Sequence, residues 1–236
     1  MKTIFLLWFA VVFTITPAFG MSYHVKPSQA IKSAVMRYGI RKEPQMMARF
    51  AKAGIAYPPK DIALLAFKKE QYIQLWAKDP KDHWRHIHTY PLTAYSGKLG
   101  PKLKEYDRQI PEGIYRLTNF NPYSSMHLSM MINYPNDFDL QQANKDGRRQ
   151  LGGDIFLHGK AESVGCLAVG NSAIDELFLL THRVGLSHVQ LIIAPNDLRK
   201  SKPATDVIAQ PKWVPVLYQR IAKALTRFPL HNKGTA

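Results

Sequence analysis

The chain has 236 residues, 46% of them hydrophobic, and sets 32 basic against 17 acidic side chains for a formal net charge of +15. That composition excludes an unfolded polyelectrolyte, allows one sizeable core with terminal extensions, and favours anionic partners. A single cysteine, Cys166, excludes an intrachain disulfide framework.

In chain order, "MKTIFLLWFAVVFTITPAFG" (1–20) reads as a secretory signal peptide, with Lys2 before a short apolar run and Ala18-Phe19-Gly20 preceding cleavage at Met21. An uncleaved anchor is the rival reading. Met21 and not a cysteine stands directly after the cleavage point, so a lipoprotein is not expected. The mature chain is therefore expected in a periplasmic or otherwise extracytoplasmic space. There the basic surface faces an anionic wall or membrane rather than nucleic acid, although basicity that merely keeps the protein soluble is the blander account.

Residues 28–38 predict a helix capped by Ser28 and ended by Gly39; 44–53 predict a second, opened by Pro44 and closed by Gly54. From residue 62 the period shortens. Strands are predicted at 62–67, 71–77, 84–95, 113–120, 125–134, 154–159 and 188–194. Residues 134–153 lack a period and read as a long loop, either a lid or a surface insertion. A helix over 173–184 is expected to be capped by Asn171 or Ser172 and followed by Gly185. In the tail, Val214, Leu217, Tyr218, Ile221, Leu225 and Phe228 recur at helical spacing, predicting a helix that packs on the domain or lies on a membrane surface.

The cluster "HWRHIH" would place His86 and His88 on one strand face, but no third ligand stands at a telling distance, so no metal is assigned. No cofactor motif is found. His127 and Ser129, two apart on a predicted strand, are expected to share a face, as substrate contacts or as a structural pair. Asp107, Arg108 and Gln109 read as turn or surface residues as readily as site residues. An odd cysteine in an exported chain is a reactive thiol, an intermolecular bridge, or an inert buried group. Cys166 precedes a predicted helix, which would place its sulfur beside backbone N–H groups.

The stretch "HGKAESVGC" (158–166) resembles the signature of the L,D-transpeptidase (YkuD-type) family: His-Gly, a spacer, then Ser/Thr-x-Gly-Cys. "GPKLKEYDRQIPEGIY" and "NPYSSMHLSMMINYPN" are similar to the family's upstream strands, and in particular to its YafK-like subgroup. The short spacer and Ala168, where many members carry Arg or Asn, fit the same branch.

The resemblance implies a β-rich α+β fold, a β-sandwich catalytic domain with N-terminal helices and a C-terminal helix. The boundaries are a signal at 1–20, a helical segment at 21–60, a catalytic domain at 61–200 and a C-terminal extension at 201–236. It implies Cys166 as nucleophile, His158 as base, Gly159 as carbonyl acceptor for the imidazole, and Gly165 with Cys166 as oxyanion donors. His127, Ser129 and Ser163 are the expected substrate-side residues, with Ser163 bracing the turn.

The implied partners are peptidoglycan stem peptides and a wall-linked protein. The reaction proceeds through a thioester, with hydrolysis of wall-linked amides favoured by the small Ala168 and L,D-transpeptidation as the alternative. A non-catalytic wall-binding or membrane-associated protein is the reading from another class.

Overall fold

The computed structural model describes residues 27–206 and 210–230. The expected signal segment lies outside them. Among the described residues no helix is long and apolar enough to cross a membrane.

Eight strands form one curled mixed sheet: β1 (Ile62–Phe67), β2 (Tyr72–Lys78), β3 (Trp84–Pro91), β4 (Gly113–Asn121), β5 (Ser129–Ile132), β6 (Phe156–His158), β7 (Leu167–Ala168) and β8 (Val189–Ala194). Their order is β3-β2-β1-β8-β4-β5-β6-β7. The β1–β8 and β6–β7 pairs are parallel and the rest antiparallel. The two halves of the expected sandwich share β4, which pairs with β8 on one side and β5 on the other. A bridge between Ala94 and Ala168 joins the chain leaving β3 to β7 and closes the curl.

The central strand "IALLAF" is buried on both faces. Ile62, Leu64 and Ala66 enter one core; Ala63, Leu65 and Phe67 enter another. Period-two alternation therefore divides two apolar faces rather than core from solvent. Helices cover both faces: α1 (Pro27–Ala34), α2 (Glu43–Lys52), α3 (Asp137–Lys145), α4 (Asn171–Val184) and α5 (Val214–Leu225).

The six periodic residues of the tail are all buried, in the core that holds Ala63, Leu65 and Phe67. Each such side chain contributes about 1.5–3 kcal/mol by leaving water. The apolar face that a membrane-surface helix would need is thus spent on the sheet.

Several local expectations change. Gly39 does not end a helix: α1 passes through a π turn (Val35–Gly39) and a 3-10 turn (Ile40–Lys42) into α2. A Cβ at Gly39 would stand 2.8 Å from Leu179 Cβ, so the glycine permits α4 to approach. The supposed loop 134–153 contains α3, opened by a reciprocal capping box between Asn136 and Asp139.

Helix α4 is capped by Gly170 at φ +78°, and Asn171 Oδ1 instead accepts the Lys160 N–H at 2.8 Å. A β-bulge at Ile87 flips the alternation of β3. His86 lies against Trp76 and His88 against Tyr90, residues of the two different cores, so the two histidines do not share a face.

Candidate active site

Three short strands bring the candidate residues together. Ser129 opens β5 and pairs with His158, the last residue of β6; His158 in turn pairs with Ala168 of β7, two residues past Cys166. Ser129, His158, Ser163 and Cys166 line one cleft of about 530 Å3, together with Asn121, Tyr123, Phe156 and Glu162. A larger groove of about 650 Å3 opens near the other end of β4 around Trp84, Arg116 and Arg220, and its lining holds neither the cysteine nor His158.

His158 is buried, and its Nδ1 sits 2.6 Å from the Gly159 carbonyl oxygen. A carbonyl only accepts, so Nδ1 carries the proton and the neutral ring presents Nε2 as its lone pair. Burial pushes the His158 pKa down, against the opposing pull of the Gly159 carbonyl and Glu162. The imidazole is therefore neutral at pH 7, the form required of a base. Gly159 cannot be larger, because a Cβ there would meet Asn171 Oδ1 and the Met126 carbonyl at 2.8 Å.

Cys166 is a free, half-buried thiol. It precedes β7 rather than a helix, so the N–H that reaches its sulfur is that of Phe156, at 3.4 Å. Burial pushes the thiol pKa up; the Phe156 N–H lowers it, Asp154 adds to the rise and Lys102 opposes it. Cysteine and histidine are thus both uncharged at neutral pH, and a thiolate must be made by proton transfer.

The Cys166 N–H has no partner among the described residues, whereas the Gly165 N–H is already bound to Ser96 Oγ at 2.7 Å. The expected pair of oxyanion donors is therefore half occupied. Gly165 adopts φ +107°, a conformation that excludes most side chains.

Ser163 donates to the Cys166 carbonyl at 2.8 Å and so braces the turn from within the cleft. His127 is not among the cleft residues. It sits in the turn before β5 at φ +76°, where strand alternation does not apply, and its Nε2 is 2.7 Å from Asp175 on α4. Ala168 is fully buried, bridged to Ala94 and not part of the cleft lining, so its methyl does not open space there.

Asp107 builds a turn, accepting the N–H groups of Leu103, Lys104 and Gln109 and the Lys102 ammonium. Ser96 carries no local sequence signal of a site role. "YSGK" signals only a turn, and its contact with Gly165 spans 69 residues.

A family model described as the L,D-transpeptidase catalytic domain (YkuD) matches residues 62–189. YafK of Escherichia coli (strain K12), which carries a provisional L,D-transpeptidase name, is 32% identical over 114 residues. That match covers 48% of this chain and 44% of YafK, so it spans less than half of that relative's length.

Among solved structures, the helical cell shape determining protein Pgp2 of Campylobacter jejuni superposes with a TM-score of 0.48 at 19% identity, covering 64% of this chain and 52% of that one. Bd1075 of Bdellovibrio bacteriovorus gives a TM-score of 0.41 at 19% identity, covering 73% and 57%.

Proposed function

The chain belongs to the L,D-transpeptidase catalytic-domain family, and on that premise we propose that it is an exported cysteine enzyme of peptidoglycan acting at amide bonds of meso-diaminopimelate. The observation that carries this reading is the oriented imidazole of His158, fixed by Gly159 at 2.6 Å, in the cleft it shares with the chain's only cysteine. In this reading residues 61–200 are the catalytic unit, flanked by the helices of 21–60 and 201–236.

The chemistry follows from the two neutral groups. His158 Nε2 takes the thiol proton as Cys166 Sγ attacks the scissile carbonyl carbon. The oxygen becomes an oxyanion, for which the Cys166 N–H, unpartnered among the described residues, is the available backbone donor. Collapse breaks the carbon–nitrogen bond, and the departing amine takes the proton from His158, leaving a thioester. An incoming amine or water then gives a proton to His158, attacks the thioester, and releases the restored thiol. Water yields a cleaved wall amide; an amine yields a cross-link or an attached protein. Both fates share one acyl-enzyme.

The deciding experiment is intact-mass analysis after mixing the protein with tetrapeptide muropeptides, with and without a competing amine. A parallel sample uses wall fragments bearing a protein attached through a lysine amide. A covalent adduct on Cys166, absent from Cys166→Ala and His158→Ala, is expected. Product formation that persists in Cys166→Ala would overturn the reading, as would the absence of both adduct and products from the wild type. Release of the attached protein without new cross-links assigns hydrolysis; new cross-links assign transfer.

A further inference from the structure

We propose that Ser96 is a positioning residue that sets the Cys166 turn through a one-way hydrogen-bond relay, an inference that rests on the acyl-enzyme reading above. Three contacts define it. Gly165 N–H donates to Ser96 Oγ at 2.7 Å, Ser96 Oγ lies 3.0 Å from Ser163 Oγ, and Ser163 Oγ donates to the Cys166 carbonyl at 2.8 Å.

The proton count leaves one arrangement. A hydroxyl has a single proton, and that of Ser163 goes to a carbonyl that can only accept. Ser96 must therefore donate to Ser163, and its own lone pair receives Gly165 N–H. The relay holds both ends of the segment from Ser163 to Cys166 from a residue remote in sequence.

Glycine is the residue least able to hold a backbone conformation by itself. Gly165, at φ +107°, sits directly before the peptide whose N–H is the open oxyanion donor. With the Gly165 N–H tethered, the peptide carrying the Cys166 N–H has its direction set from both sides.

The tether is itself anchored. Gln109 Oε1 accepts the Lys98 N–H at 2.7 Å, while its Nε2 donates to the Lys98 and Gly100 carbonyls at 2.6 and 2.8 Å. The Gln109 carbonyl oxygen also lies 3.2 Å from where a Cβ at Gly165 would stand. The loop bearing Ser96 thus packs against the Cys166 turn as a fitted support.

Loss of one oxyanion donor costs an acyl-transfer enzyme about a hundredfold to a thousandfold in kcat, and misdirecting a donor that remains costs less. Ser96→Ala should therefore lower kcat by about tenfold and leave KM within about twofold, because the donor acts chiefly in the transition state. Ser96→Thr, which keeps the hydroxyl, should recover kcat to within about threefold. The rate at which iodoacetamide alkylates Cys166, and the melting temperature, should stay close to wild type in Ser96→Ala, since the sulfur's contact with Phe156 N–H is untouched.

Unchanged kcat in Ser96→Ala overturns the inference. So does a joint fall of kcat, alkylation and melting temperature without rescue by threonine, which marks a role in folding alone. Wild-type protein that neither acylates nor turns over muropeptides sinks the acyl-enzyme reading and this inference with it; an active wild type matched by Ser96→Ala sinks this inference only.

Discussion

Replacing Glu112 with glutamine removes a charge from the interior and leaves the side chain's shape. Lys68 Nζ and Glu112 Oε1 are 2.9 Å apart, and both side chains are fully buried. The ammonium also donates to the Gly100 and Ile110 carbonyls at 2.8 and 2.9 Å. The carboxylate receives the Gly100 N–H at 2.8 Å and the Tyr218 hydroxyl of α5 at 2.9 Å.

Burial pushes the Lys68 pKa down and Glu112 opposes that, so removing the carboxylate leaves a buried cation without its counter-charge. Breaking one side of such a pair costs about 3–5 kcal/mol. At about 2–4 °C per kcal/mol for a domain of this size, the melting temperature should fall by about 6–20 °C.

Circular dichroism melts at pH 7 of the wild type, Glu112→Gln, Lys68→Met and Lys68→Met with Glu112→Leu measure this. The double variant should be milder than either single, because an apolar pair leaves no charge unpaired. A Glu112→Gln protein that melts within about 2 °C of wild type, against the shift expected per kcal/mol, would falsify the argument.

Three further outcomes follow from the geometry. Because burial raises the Cys166 thiol pKa, iodoacetamide alkylation of the native protein should reach half-maximal rate at higher pH than that of a free cysteine peptide, and a midpoint below the peptide's refutes it. Gly39→Ala should lower stability by about 1–3 kcal/mol in a urea melt, since the new methyl meets Leu179 at 2.8 Å; an unchanged midpoint would show that α4 yields freely.

Burial raises the Asp139 pKa to about 6, partly offset by the Asn136 N–H, so the folded state holds that proton more tightly than the unfolded chain. The resulting stabilisation is complete below the ordinary carboxyl pKa near 4 and is lost as pH rises through about 6. Asp139→Asn should flatten that part of the stability profile between pH 4 and 7, and a profile of unchanged slope counts against it.

What the sequence discloses depends on how local the determining contact is. "IALLAF" declares a strand by residue type alone, and the tail declares a helix by its spacing. His158 and Cys166 announce themselves because both lie within one short motif. Helix α3 hides because its residues are mostly polar; its legible signal is Asn136 followed three residues later by Asp139, a capping pair inside what resembles a loop.

β7 is two residues long, too short for any periodicity to register. His127 and His86 depart from their expected faces for a common reason: a turn and a bulge each reset the alternation, and neither has a mark in the local sequence. Gly39 shows the converse, a glycine that resembles punctuation while its actual role is set by Leu179, far along the chain.

The bridge from Ala94 to Ala168 bears on how a substrate can enter. Thr93 N–H donates to the Ala168 carbonyl at 2.9 Å, so the strand following the cysteine has its outer ladder group already engaged. If the substrate is the stem peptide proposed above, it could not add a ladder rung at that carbonyl, the docking route open to peptides wherever a sheet ends bare. Under that proposal it would approach across the strand ends, where the 121–126 turn and the 162–164 lip line the cleft. Selectivity would then reside in two short segments that can change residue by residue without disturbing the pairing of the sheet beneath them.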